Sequence, residues 1–163
     1  MIHPGIASRL APADSRCLAR RIGALAFALC ALAACAPTSG AKVVGNLRVH
    51  LRDFAIDISH TELSAGRITI DVTNLGPTTH EFNLDRTDLD AASLPRKPDG
   101  LTVWENSPEL QRVTSIEGVG LGVHRRISVV LPPGHYVLYC NLEGHYLGSM
   151  HTQIDVTGPR TPS

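Results

Sequence analysis

The chain has 163 residues, with 15 basic and 15 acidic side chains, 43% hydrophobic content, 14 glycines and 11 prolines. Residues 1–34 read as an export segment, and without them eleven basic and fourteen acidic residues remain, a formal charge of −3. A mildly acidic single domain with no basic run excludes nucleic-acid binding, and this much Gly and Pro punctuation favours short strands over long helices.

The leader is carried by Ile22–Ala34, an uncharged run preceded by Arg20 and Arg21 and closed by small residues, which is the three-part plan of a secretory signal. The run falls short of the ~20 apolar residues a permanent membrane span needs. Its closing Leu32-Ala33-Ala34-Cys35 resembles the lipobox of bacterial lipoproteins. That resemblance implies that Cys35 takes a diacylglycerol and becomes the new N-terminus. The protein would then be lipid-anchored to a membrane of the bacterial cell envelope, on its extracytoplasmic side, either periplasmic or at the cell surface. Residues 35–42 are small, polar and breaker-containing, as suits a tether. Cys17 and Cys30 leave with the leader, so Cys140 is a lone thiol in an oxidising compartment, where a metal ligand or deep burial is the usual reason for its survival.

The folded domain is expected over residues 43–157. Leu47, Val49 and Leu51 alternate with polar residues, and the phase then shifts to Phe54, Ile56 and Ile58, which predicts either a bulge near Asp53 or two short strands. Ser64-Ala65-Gly66 marks a turn, Ile68, Ile70 and Val72 alternate, and Asn74-Leu75-Gly76-Pro77 turns again before a short strand around His80, Phe82 and Leu84. Residues 85–113 form a long, charged, proline-containing connection with a helical turn near Pro108 to Arg112, and Trp104 is its expected packing anchor. Ile127, Val129 and Leu131 alternate up to Pro132-Pro133-Gly134. Tyr136, Leu138 and Cys140 share one face of a strand whose other face, Val137 and Tyr139, is also apolar, as in a central strand; Met150, Thr152, Ile154 and Val156 make the last. Residues 158–163 look like a frayed tail. Short strands between turn signals, with no helical periodicity, predict an all-β chain folded as an antiparallel Greek-key β-sandwich.

Chemistry concentrates in the last hairpin, Cys140-Asn-Leu-Glu-Gly-His145-Tyr-Leu-Gly-Ser-Met150. Thiolate, imidazole and thioether together suit copper cycling between two oxidation states: soft sulfur favours the reduced ion, imidazole serves both, and a weak thioether helps set the potential. A trigonal site needs a second imidazole, and His80 stands 60 residues before Cys140 at the mouth of another strand. In a sandwich those ends can meet.

The segments Thr73-Asn-Leu-Gly76 leading to His80-Glu-Phe82, and Leu131-Pro-Pro-Gly-His-Tyr136 running through Cys140 and His145 to Met150, resemble the cupredoxins, the small blue-copper proteins that include plastocyanin, azurin and auracyanin. The resemblance covers roughly Leu47 to Thr157. It implies one type 1 copper, with His80, Cys140 and His145 as strong ligands and Met150 as the weak axial one. Glu143 and Ser149 depart from the family pattern, which often has Pro before the Gly-His pair and Gly before Met. His50, His60, His124 and His135 lack ligand spacing, and His151 is expected to point away from Met150.

A site closed by four protein ligands has no open position for substrate, so a non-enzymatic role is expected: one-electron transfer at a membrane surface. The His145 edge, flanked by Leu142, Tyr146 and Leu147, would dock an unidentified redox protein onto this monomer. The alternative is copper handling, as a carrier or buffer, but the mature chain has no Met-rich or His-rich tract for handing the ion on.

Overall fold

The computed structural model describes residues 43–158; the expected export segment, Cys35 with its expected tether, and the end of the tail lie outside them. Among the described residues, nine strands make two sheets. One has the order β2 (Ala55–Ile58), β1 (Val43–Arg52), β4 (Gly66–Asn74), β7 (His124–Leu131); the other β3 (Glu62–Ser64), β9 (His151–Thr157), β8 (Gly134–Tyr139), β5 (His80–Arg86), β6 (Gln111–Val119). The chain crosses repeatedly between the sheets, giving the expected β-sandwich. Both sheets are mixed, because β1 pairs in parallel with β4 and β3 with β9. Parallel neighbours need a crossover, and for β1 and β4 it runs through β2 in the same sheet and β3 in the opposite one.

The core follows from alternation. Leu47, Val49 and Leu51 on β1 and Ile68, Ile70 and Val72 on β4 are fully buried against Phe82, Leu84, Tyr136, Leu138 and Ile154 of the facing sheet. Each such side chain contributes about 1.5–3 kcal/mol. The phase shift after Leu51 is a change of strand: β1 and β2 form an antiparallel hairpin turning at Asp53 and Phe54. Phe54 therefore lies in the turn, 53% exposed, and not on the apolar face.

Within the long connection, Ala91–Ser93 forms a single 3-10 turn, its N-cap Asp90 accepting from the Ala92 amide at 2.8 Å. The helical turn expected from Pro108 to Arg112 is reduced to one hydrogen-bonded turn, the Leu110 amide donating to Ser107 O at 3.1 Å, because Gln111 already begins β6. That strand lies at a sheet edge with only Val119 buried, so its alternation is too shallow to read from sequence. Trp104 is 46% exposed and does not anchor the connection. Ala91, Leu94, Val103 and Leu110 do so, packing with Val137, Tyr139 and Tyr146 in a second small core, and this covers the outer face of β8.

Candidate metal centre

His80 opens β5 and is fully buried. The preceding turn is held by Asn74, whose side chain accepts from the Gly76 amide at 2.8 Å and donates to the carbonyls of Thr78 and Val119 at 2.6 and 2.7 Å. That ties the entry to β5 onto β6, explaining an asparagine at this point of the turn. Cys140 follows β8 directly and is also fully buried. The adjacent Tyr139 is fixed by its hydroxyl, which donates to Asp85 at 2.6 Å, while Arg112 donates to Asp85, to Asn83 at 3.0 Å and to Tyr139 at 3.0 Å. Burial works against the Arg112 charge, but Glu105 and Asp85 outweigh it and raise the pKa. This network locks together β5, β6 and β8, two of which carry ligand candidates.

The loop from Cys140 to Met150 is a series of tight turns. Gly144 takes φ +79°, natural only for glycine, and Ser149 takes φ +75°, which is costly for a residue with a Cβ. The glycine that cupredoxins often carry before their methionine would suit that conformation without strain. The His145 amide donates to Leu142 O at 2.9 Å, and the Met150 amide donates to His145 O at 3.1 Å. Met150 O in turn accepts from the Cys140 amide at 3.1 Å. Met150 is fully buried in the same core cluster as Cys140.

Three of the expected ligands converge. His80, Cys140 and His145 each offer a donor atom within 4.8 Å of the others. The two Nδ1 atoms are 3.3 Å apart, and Cys140 Sγ lies 3.5 Å from His145 Nδ1. Donor atoms so spaced can surround one ion at about 2.0–2.3 Å, the length of metal–imidazole and metal–thiolate bonds. The set is all nitrogen and sulfur, with no carboxylate. Burial and the nearby His145 push the His80 pKa down, against the pull of Asp53, which favours the neutral imidazole a metal needs. Burial pushes the Cys140 thiol up, although the Glu81 amide, 3.3 Å from the sulfur, works the other way. A cation at this point would offset the burial and favour the thiolate.

Behind these side chains stand residues the sequence did not point to. Asp53 Oδ1 lies 3.1 Å from His80 Nε2 and also accepts from the Thr78 hydroxyl at 2.7 Å. The Phe54 ring packs at 5.5 Å from the His145 ring. The expected rim needs correction. Tyr146 is only 5% exposed: its hydroxyl donates to Ala91 O at 2.8 Å and accepts from the Leu94 amide at 2.9 Å, so it is a core side chain. Leu142 is half-buried, whereas Leu147 and Phe54 are exposed beside the half-buried His145. His151 packs its ring on Tyr146 at 5.0 Å, while His124 and His135 pair with Asp71 and Asp155, each outside the three-residue cluster.

No protein-family model and no curated protein matches the chain. Similarity appears among solved structures. The dithionite-reduced auracyanin of the photosynthetic bacterium Roseiflexus castenholzii aligns at 22% identity and TM-score 0.52, covering 70% of this chain and 97% of that one. Auracyanin B aligns at 20% identity and TM-score 0.49, over 71% and 91%. Auracyanin A, a "blue" copper protein from Chloroflexus aurantiacus, aligns at 20% and 0.46, over 69% and 100%. With the sheet orders and the first of these alignments together, the chain has a cupredoxin-like β-sandwich fold.

Proposed function

We propose that the domain is a blue-copper electron-transfer protein holding one type 1 copper through His80, Cys140 and His145, with Met150 as the weak axial group. The observation that carries this reading is the convergence of one thiol and two imidazole Nδ1 atoms in a largely buried cluster. Copper, when bound, supplies a one-electron couple. The protein's own residues do the rest. His80 and Cys140, both fully buried, keep water from the donors. Turns built on Gly144 and Asn74, with the strand network at Asp85, hold the donors with little room to rearrange between oxidation states. His145 is the imidazole nearest solvent, and the exposed Phe54 and Leu147 beside it form a small apolar rim suited to a transient redox partner. The same rigidity disfavours a copper carrier, which must open a ligand position, and disfavours an enzyme, which must leave one open. The domain then works on the extracytoplasmic side of a bacterial membrane, tethered through lipid on Cys35.

Adding Cu(II) to the domain from residue 43 onward tests the reading. Intense visible colour and a type 1 paramagnetic resonance spectrum are expected, both lost in a folded Cys140→Ser variant; colourless, weakly bound copper overturns it. Copper lost to an apo acceptor faster than electrons exchange with a small redox protein would establish the carrier instead. For the anchor, wild-type protein should remain with membranes after a high-salt wash and Cys35→Ala should not.

A further inference from the structure

From the geometry we infer that the β1–β2 turn, Asp53-Phe54, is a single positioning device for both histidine ligands: Asp53 orients His80 and strengthens it as a donor, and Phe54 shields His145. The inference rests on the copper reading above but concerns residues outside the ligand set.

Asp53 Oδ1 faces His80 Nε2 at 3.1 Å. A carboxylate only accepts, so Nε2 carries the hydrogen and the Nδ1 lone pair is left facing His145 and Cys140. The carboxylate is itself pinned by the Thr78 hydroxyl at 2.7 Å. A negative charge on the far side of an imidazole strengthens it as a donor and favours the oxidised ion. The next residue, Phe54, lays its ring 5.5 Å from that of His145 at an angle of 54°. It does so at φ +60°, a conformation unusual for a bulky side chain and a mark of local constraint.

Two glycines clear the space for this turn. A Cβ on Gly76 would lie 2.9 Å from Asp53 Oδ1 and 3.0 Å from its amide. A Cβ on Gly148 would meet the Phe54 ring at 2.1 Å. Neither glycine has a positive φ, so close approach of Asp53 and Phe54, and not backbone freedom, is what demands glycine at both. Two loops, one before His80 and one after His145, thus fit around the single dipeptide between β1 and β2.

The test uses copper itself as probe. Asp53→Ala should cost about ten- to a hundredfold in copper affinity, raise the reduction potential and shift His80 away from the Nε2–H tautomer in nitrogen-15 spectra of the metal-free protein. Asp53→Asn keeps an acceptor without the charge, so it should restore the tautomer and most of the affinity while the potential stays raised. Phe54→Gly relieves the backbone yet should speed copper loss to a chelator severalfold. Arg52→Ala, which breaks only the exposed 3.1 Å pair with Asp57 in the same hairpin, should change none of these. If the wild type turns blue but Asp53→Ala and Phe54→Gly keep its potential, tautomer and release rate, the turn is only a connector and the inference fails. If no variant, wild type included, binds copper tightly, the proposed function fails, while the tautomer measurement still decides the role of Asp53.

Discussion

Replacing Arg112 with methionine probes the framework that holds the ligand strands. Asp85 is fully buried, and without the guanidinium it would keep only the 2.6 Å bond from Tyr139. Asn83, 3% exposed, would lose its 3.0 Å donor as well. Removing one partner of a buried ion pair costs about 3–5 kcal/mol, since the other charge is left uncompensated. The Arg112 side chain is 32% exposed, so water reaches part of the network and the lower end, about 3 kcal/mol, is expected for Arg112→Met. For a domain of this size that corresponds to a melting point lower by roughly 12 °C. Circular dichroism melts and urea titrations should be run on the metal-free protein, because bound copper would add its own stabilisation to both forms. A loss below about 1 kcal/mol would show that the group behaves as a surface pair. The double variant with Asp85→Leu should recover a large share of the loss, because the stranded charge is gone; additive losses would refute the argument.

Two further outcomes follow from the ligand loop. Met150→Gln should retain copper while lowering the reduction potential, because a thioether favours the reduced ion and an amide oxygen does not; protein-film voltammetry checks it, and an unchanged potential would remove Met150 from the axial role. Ser149→Gly should stabilise the metal-free domain by about 0.5–1 kcal/mol, since φ +75° is strained only for a residue with a Cβ; a loss of stability in urea denaturation would show that the hydroxyl or reduced loop entropy matters more.

What could be known from the sequence was what is local. Cys140, His145 and Met150 lie five residues apart within one hairpin loop, so their proximity is nearly guaranteed by chain connectivity. Strand alternation likewise marked Leu47, Val49, Leu51, Ile68, Ile70 and Val72 as inward-facing, because a period of two survives wherever one face is buried. Where burial is shallow, as on β6, that signal vanished. Meeting His80 with His145 at 3.3 Å required the sandwich, as 65 residues separate them. Asp53 and Phe54 showed in the sequence only as a phase shift between strands, with nothing to mark a role at the site. Their contacts, 27 and 91 residues away, exist because β1 runs parallel to β4, which brings the β1–β2 turn alongside the turn leading into β5. Tyr146 shows the converse: in a loop, no periodicity tells inside from outside, and only the backbone groups of Ala91 and Leu94, placed there by the long connection, gave its hydroxyl partners and drew the ring into the core.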